Sequence, residues 1–282
     1  MYSYLNQHPD IFMSPVKEIH HFGQDCAALL KIPGDYLSFF SQWKDQMYAG
    51  EASVFYLYSQ TASLELKEFN PAARIIIMLR NPVDFLHSYH RRILTVTYED
   101  IADFEAALEA EPDRRRGERL PRLTRKHGAA PLLYYRSVAA FSEQVQRYFD
   151  AFGRDQVKVI LLDDMKADVA AVYRDTMIFL GVDPDFQPEF PRVNANRQPR
   201  SMLVMRFLIN TLKYTGSRSL PSRAYKKLIF QPLRRWNMKI EKRVPMPLPL
   251  RKKLQAEFEP EVEKLGKLLG RDLSHWNNIP RD

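Results

Sequence analysis

One short stretch of the chain, RIIIMLRNPVDFLHSYH at residues 74–90, constrains the fold more than any other. Residues 75–79 form a continuous apolar run rich in β-branched side chains, which is typical of a strand buried on both faces of a parallel sheet. Asn81 can cap a helix that follows at once, and Pro82 suits the first position of that helix. The stretch therefore predicts a strand, a tight turn and a helix.

A second apolar run, QVKVILL at residues 156–162, predicts another buried strand. Strands that alternate with helices predict an α/β fold, in which helices flank a parallel sheet in three layers. At 282 residues and 45% hydrophobic content, the chain can form one large domain, and we predict an α/β core at residues 1–200 with a basic, helical part at 201–282 packed on it. Helical patterns lie at residues 36–47, 61–69, 131–152, 168–180, 203–212 and 250–269, and Gly181 is in the usual position to end the helix at 168–180.

The charge balance favours an anionic partner. The chain carries 42 Lys and Arg residues against 34 Asp and Glu, a formal net charge of +8. Nucleotides, sulfated or phosphorylated substrates, nucleic acids and membrane surfaces all fit such a balance, and charge alone does not choose between them. Seven of the cations fall within residues 113–128, which also contain Pro121 and two glycines and therefore predict an exposed loop.

Cysteine and metal chemistry are limited by composition. Cys26 is the only cysteine, so neither an internal disulfide nor a cysteine-based metal cluster can form. No cluster of His, Asp and Glu suggests a metal site, and no apolar run is long enough to span a bilayer. We predict a cytoplasmic enzyme, bacterial rather than from the Golgi, that uses no metal.

Arg80 and Ser88 together suit a phosphate group. Arg80 stands at the carboxyl end of the predicted strand, where open α/β sheets bind their ligands, and its permanent charge suits a phosphate better than a core. Ser88 lies about two turns into the predicted helix and can add a neutral donor near Arg80. The alternative is that Arg80 pairs with Asp84 while Ser88 is a small packing residue.

The same stretch carries a family resemblance. LRNPVDFLHSYH resembles the element by which sulfotransferases hold the 3′-phosphate of the sulfate donor 3′-phosphoadenosine 5′-phosphosulfate (PAPS). The family pattern is an arginine after a strand, then Asn-Pro or Asp-Pro, and a serine eight positions beyond the arginine. The resemblance assigns Arg80 and Ser88 to that phosphate, whereas Phe85 replaces a second arginine that is usual in the family.

A second match lies upstream. SPVKEIHHFG, residues 14–23, resembles the Lys-Glu-x-His-Phe segment of glycan-type sulfotransferases, and this implies that Glu18 is the catalytic base, with Lys17 and His20 as further catalytic residues. Sulfonate transfer needs a base within reach of the acceptor hydroxyl and cations near the developing charge. Two alternatives stay open: the segment is a solvated polar loop, or His20 or His21 is the base.

Weaker matches lie elsewhere in the chain. VNANRQPRS, residues 193–201, looks like the late loop that closes over the nucleotide, which makes Arg197 and Arg200 candidates for donor binding; exposed loop charges are the alternative. GEASVFYLYSQ, residues 50–60, resembles the segment beside the acceptor, and GRDLSHW, residues 270–276, resembles the structural ending of the family.

One element of the family pattern is absent from the printed sequence. Sulfotransferases open with a strand and a loop resembling Pro-Lys-x-Gly-Thr-Thr, which holds the 5′-phosphosulfate, and YSYLNQHP resembles the helix that follows this loop. The resemblance thus implies a P-loop-like, three-layer parallel sheet that is truncated at its first strand.

These matches predict a PAPS-dependent sulfotransferase that moves a sulfonate group to a hydroxyl of a glycan or small-molecule acceptor and releases PAP. The missing loop makes a catalytically impaired relative that binds PAP or another nucleotide the first alternative. A nucleic-acid-binding protein, based on the basic residues 114–126 and 213–253, is the second, but no nucleic-acid motif supports it.

Overall fold

The fold is taken from a computed structural model that describes residues 1–23, 25, 32–191, 197–201, 204–205, 207–208, 226–240 and 245–278, with the backbone alone at 197–199, 226–227 and 239–240. Cys26 and most of the predicted helix at 203–212 lie outside the described residues. The strands are β1 (Ile11–Met13), β2 (Tyr48–Gly50), β3 (Ile75–Leu79), β4 (Val157–Leu161), β5 (Arg197–Pro199) and β6 (Met238–Ile240). The α-helices are α1 (Tyr2–Leu5), α2 (Ala62–Phe69), α3 (Pro82–Thr95), α4 (Phe104–Glu109), α5 (Glu111–Arg115), α6 (Arg122–Lys126), α7 (Tyr135–Val138), α8 (Phe141–Phe152), α9 (Leu162–Ala167), α10 (Val169–Leu180), α11 (Gln231–Asn237) and α12 (Leu248–Leu269).

The strands pair in twos. β1 pairs with β2 and β3 with β4, both in parallel, whereas β5 and β6 are antiparallel. The two strands predicted from their apolar runs are thus confirmed, and they are direct neighbours, with Ile75 opposite Val157 and Leu79 opposite Leu161. Their parallel arrangement agrees with the α/β prediction, whereas one continuous P-loop-like sheet and its truncation stay predictions.

Packing on β3 follows the alternation of its side chains. Ile77 and Leu79 are buried with residues of α8, β4, α12 and the C-terminal segment. Ile76 points the other way and packs on a cluster that includes Tyr173 and Met177 of α10. Met78 lies on the side of Ile76 but is 43% exposed, so the prediction of burial on both faces is wrong at this position, because the α10 cluster does not extend to it.

Both ends of α10 are capped, and its predicted end at Gly181 is confirmed. Asp168 accepts a hydrogen bond from the Ala171 N–H at 2.9 Å and begins α10. Gly181 ends that helix in the left-handed conformation, with φ +72°. The predicted helices at 61–69 and 250–269 are confirmed as α2 and α12.

The predicted helix at 36–47 is wrong, and the one at 131–152 is confirmed only over Phe141–Phe152; side-chain hydrogen bonds accompany both differences. Residues 36–47 form a single 3₁₀ turn, Leu37–Phe40, after which the Trp43 Nε1–H donates to the Gln46 carbonyl at 2.9 Å. Residues 131–152 are broken into a 3₁₀ turn, α7 and α8. Gln144 of α8 donates to the carbonyls of Ser137 and Val138, which closes α7 early.

By its internal contacts the chain divides into two compact units. The first comprises Met1–Phe85, Tyr134–Pro191 and Lys252–Asp282, and the second comprises Leu86–Leu133 and Arg192–Arg251. The single domain over residues 1–282 stays a prediction. None of the helices within the described ranges is long and apolar enough to cross a membrane.

The predicted exposed loop at 113–128 is wrong in part. It contains the end of α5 and all of α6, and one of its cations is fully buried. Arg114 makes a bidentate ion pair with Glu99: both nitrogen to oxygen distances are 2.7 Å, and neither side chain is exposed. A guanidinium can be buried here because the carboxylate matches both its charge and its geometry.

This pair gives a prediction for stability. Arg114→Met should lower the free energy of unfolding by about 3–5 kcal/mol, because it leaves the Glu99 carboxylate buried without its partner. The matched control is Arg116→Met, since Arg116 is 58% exposed and pairs with Asp113 at the surface, and its loss should cost less than ~1 kcal/mol. Urea unfolding of the three proteins measures both effects, and equal midpoints for the two variants would contradict the buried pair.

Candidate active site

The loop that follows β1 carries three of the predicted catalytic residues in an unusual backbone. Glu18 and His20 both have positive φ angles, +58° and +51°, although neither is a glycine. Ile19 between them is completely buried, and the Glu18 N–H donates to the Ala52 carbonyl at 2.9 Å. Residues in this region of backbone space cost energy and persist only where their surroundings hold them, which often occurs at functional sites.

Glu18 and His20 contact each other directly. The Nε2 atom of His20 lies 3.1 Å from the Glu18 Oε2 atom, and the Val54 N–H donates to the same oxygen at 3.1 Å. Because a carboxylate only accepts, His20 carries a proton on Nε2 and donates it to Glu18. The Nδ1 atom of His20 is buried and has no hydrogen-bond partner within the described part of the chain.

The carboxylate is the exposed member of this pair. The Glu18 side chain is 39% exposed, whereas that of His20 is only 4% exposed. Burial raises the pKa of the Glu18 carboxyl, but the hydrogen bonds from His20 and Val54 and the charges of His20 and Lys17 outweigh it, so that the net pKa lies below the ordinary value. Glu18 is therefore an ionised, partly accessible proton acceptor at neutral pH.

Two further side chains lie on the same loop. Lys17 is exposed, and its ammonium group stands 4.4 Å from the centre of the Tyr2 ring. The ring of His21 stacks on Tyr36, with centroids 4.4 Å apart, and the backbone N–H of His21 donates to the Tyr56 hydroxyl at 2.9 Å. Lys17 thus supplies positive charge beside Glu18, while the His21 ring belongs to an aromatic cluster.

Arg80 lies at the end of β3, at the turn that sequence analysis predicted. Asn81 caps α3 there, since its Oδ1 accepts the Val83 N–H at 2.9 Å. Its Nδ2 donates to the Trp276 carbonyl at 2.6 Å, and the Trp276 indole N–H donates to Asp163 at 2.6 Å. The C-terminal segment therefore fixes the turn that presents Arg80. The resemblance implies a structural role for GRDLSHW, but no local feature of the sequence indicates that Trp276 holds this turn.

The remaining predicted site residues belong to the second unit. Ser88 lies within α3, and Arg80 belongs to the first unit. Arg200 is exposed and follows β5, and its N–H donates to the Asn237 carbonyl at 2.6 Å. Arg197 begins β5 opposite Ile240, so the described end of the predicted loop is a short strand; the Arg197 side chain lies outside the described residues.

The Asn81 contacts predict a specific loss of stability. Asn81→Ala removes both the helix cap and the hydrogen bond to Trp276, so the free energy of unfolding should fall by about 1–2 kcal/mol. Asn81→Ser keeps a cap but not the contact with Trp276, and its effect should be intermediate. Asn70→Ala, in the exposed turn before β3, is the control for a lost Asn turn. Chemical denaturation ranks the variants, and an Asn81→Ala protein as stable as the native chain would contradict the assignment.

Comparisons with known proteins bear on the family of this chain. No protein-family model matches the chain, and no curated protein sequence matches it. The solved structure of a sulfotransferase from Alicyclobacillus acidocaldarius matches with a TM-score of 0.68 and 31% sequence identity, over 98% of this chain and 92% of that one. Within the described ranges, no group of three or more His, Cys, Asp or Glu side chains could hold a metal ion.

The solved sulfotransferase has the same fold, and the identity extends over nearly the whole of both chains. Its similarity agrees with the family resemblance found in the sequence. We conclude that the chain belongs to the sulfotransferase family.

Proposed function

We propose that this protein transfers a sulfonate group from PAPS to the hydroxyl of a glycan or small-molecule acceptor and releases PAP. The observation that carries the proposal is the Glu18 carboxylate, which is ionised, partly exposed and oriented by His20 and the Val54 N–H. A base in this state is what an acceptor hydroxyl requires.

In the proposed reaction Glu18 takes the proton of the acceptor hydroxyl as its oxygen attacks the donor sulfur. A new bond forms between that oxygen and sulfur, while the bond between sulfur and the bridging oxygen of the donor breaks. The electron pair of the broken bond stays on the 5′-phosphate of PAP, and the proton on Glu18 passes to solvent. Lys17, exposed beside Glu18, is proposed to stabilise negative charge on the reacting oxygens.

His20 is proposed to orient the base. Its Nε2–H donates to Glu18, and its Nδ1 is buried, so neither ring nitrogen is available to an acceptor hydroxyl. The His21 ring is stacked on Tyr36, which favours a packing role. The accessible carboxylate of Glu18 is therefore the better candidate for proton abstraction.

The donor is proposed to bind through its phosphates. Arg80, at the carboxyl end of β3, would hold the 3′-phosphate with its guanidinium group, and Ser88 would add a hydroxyl donor. The support is the spacing along α3 and the fixed turn at Asn81. Arg197 and Arg200 are proposed to add charge to the nucleotide site. The chemistry itself requires no metal ion.

The role of Arg80 can be tested by binding alone, without an acceptor. Arg80→Ala should weaken PAP binding at least ~10-fold in calorimetry, because a charged donor to phosphate is lost. Binding of adenosine 5′-phosphate, which lacks the 3′-phosphate, should hardly change. Arg74→Ala is the matched control, since Arg74 stands at the other end of the same strand and its guanidinium donates to the Asp155 carbonyl. Equal weakening of both nucleotides by Arg80→Ala would contradict the assignment.

The role of Glu18 can be tested by turnover and its pH dependence. Glu18→Gln should lower kcat by ~10²-fold or more, with little change in donor affinity. Because the pKa of Glu18 is held below its ordinary value of 4.5, kcat/KM of the native protein should stay level from pH 8 down to about 5. An imidazole base would instead make kcat/KM fall below pH about 6.5, which is an acid limb in the pH profile. Such a limb, together with a Glu18→Gln variant of near-native turnover, would exclude Glu18 as the base.

A further inference from the structure

The Glu51 carboxylate, beside the Glu18 loop, accepts hydrogen bonds from three hydroxyl groups. The Oε1 atom of Glu51 accepts hydrogen bonds from Tyr36 Oη at 3.0 Å and Tyr56 Oη at 2.7 Å, and its Oε2 accepts one from Ser53 Oγ at 2.7 Å. Both tyrosines are only 9% exposed. The family resemblance implies that this segment lies beside the acceptor, but it assigns no role to Glu51.

The charge of Glu51 sets the direction of these hydrogen bonds. An ionised carboxylate only accepts, so each hydroxyl directs its single proton at Glu51 and keeps its lone pairs for other donors. Ser53 Oγ then accepts the His20 N–H at 3.1 Å, and Tyr56 Oη accepts the His21 N–H at 2.9 Å. Two chains of hydrogen bonds, or relays, therefore connect Glu51 with consecutive peptide groups of the Glu18 loop: one passes through Ser53 and the other through Tyr56.

These two peptide groups are the ones that define the backbone at His20. The His20 N–H belongs to the peptide before its Cα atom, and the His21 N–H belongs to the peptide after it. Holding both peptide planes fixes φ and ψ of His20, whose φ of +51° is costly for a residue other than glycine. The ring of His20 in turn donates to Glu18 at 3.1 Å.

The hydrogen bonds from Tyr36 and Tyr56 to Glu51 keep the same donor and acceptor over the working pH range. Burial raises the pKa of both Tyr36 and Tyr56, and the negative charge of Glu51 raises them further. Both phenols therefore hold their protons and donate them to Glu51 wherever an enzyme of this kind operates.

We propose that Glu51 is a positioning residue for the base: through Ser53 and Tyr56 it fixes the backbone of His20, and through His20 it orients the Glu18 carboxylate. The inference rests on the proposed role of Glu18 in sulfonate transfer. Glu51 has no contact with the reacting atoms in this account and acts on turnover only through the loop.

The experiment compares one isosteric change with three hydroxyl deletions. Glu51→Gln should lower kcat at least ~10-fold with little change in the KM for PAPS, since charge-assisted hydrogen bonds are lost. Ser53→Ala and Tyr56→Phe each break one relay, and each should lower kcat by about 3-fold or more. Tyr36→Phe is the matched control, because Tyr36 Oη donates to the same oxygen of Glu51 but accepts no hydrogen bond from the Glu18 loop within the described residues, and its kcat should stay within about 3-fold of the native value.

A double variant separates positioning from general stability. If Glu51 acts through Glu18, adding Glu51→Gln to Glu18→Gln should cost less than about 2-fold in kcat, although it costs at least ~10-fold in the native background. A multiplicative loss in the double variant, or an effect of Tyr36→Phe as large as that of Tyr56→Phe, would overturn the proposal.

Amide hydrogen exchange tests the relays without any turnover. In Glu51→Gln the His20 and His21 amides should exchange at least ~10-fold faster than in the native protein, while amides of β3 stay unchanged. Unchanged exchange at His20 would overturn the role of Glu51 even if the native protein transfers sulfonate. A native protein that transfers no sulfonate would contradict the proposed function instead, and the exchange rates would still decide whether Glu51 holds the loop.

Discussion

The parallel pairing of β3 with β4 is the interaction on which the rest of the first unit depends. It sets Ile77 and Leu79 on the side of α8 and α12 and turns Ile76 towards α10, so one register determines which helices cover which face. It also sets the position of the turn at Arg80. Trp276 then connects that turn to Asp163, the second residue of α9. Its backbone carbonyl accepts from Asn81 after β3 and its indole N–H donates to Asp163 after β4, so one residue holds the ends of both strands.

The site has a second, independent constraint in the backbone of the Glu18 loop. Two residues other than glycine stand in the left-handed region there, and the loop lies against residues 51–56 through hydrogen bonds to Ala52, Ser53, Val54 and Tyr56. This arrangement leaves the Glu18 carboxylate partly open to solvent and buries His20, which separates a candidate base from the group that orients it. The contacts that hold the backbone of this loop therefore also orient the Glu18 carboxylate.

Local signals predicted the parts of the fold that are decided locally. The strand at Ile75, the Asn81 cap and the Gly181 stop each follow from a few neighbouring residues and are confirmed. Tertiary contacts decided the rest. Seven cations at residues 113–128 indicated a solvated loop, but the sequence contains nothing to mark Arg114, rather than a neighbour, as the partner of Glu99 fifteen residues away.

The same division holds for the candidate site. The resemblance named Glu18, His20 and Arg80 as candidates, but it could not reveal that His20 donates to Glu18, because a positive φ at two such residues has no local sequence signal. Nor could it reveal the role of Glu51, because its relays depend on Ser53 and Tyr56 contacting His20 and His21, which lie 33 and 35 residues away in the sequence.

The central claim is that the turn at Arg80 and the loop at Glu18 serve one transfer site, and a crystal structure with PAP bound tests it most directly. We expect the 3′-phosphate within about 3 Å of the Arg80 guanidinium, with the 5′-phosphate directed towards the Glu18 carboxylate. PAP bound with its 3′-phosphate away from Arg80, or with Glu18 on the far side of the protein from the 5′-phosphate, would contradict it.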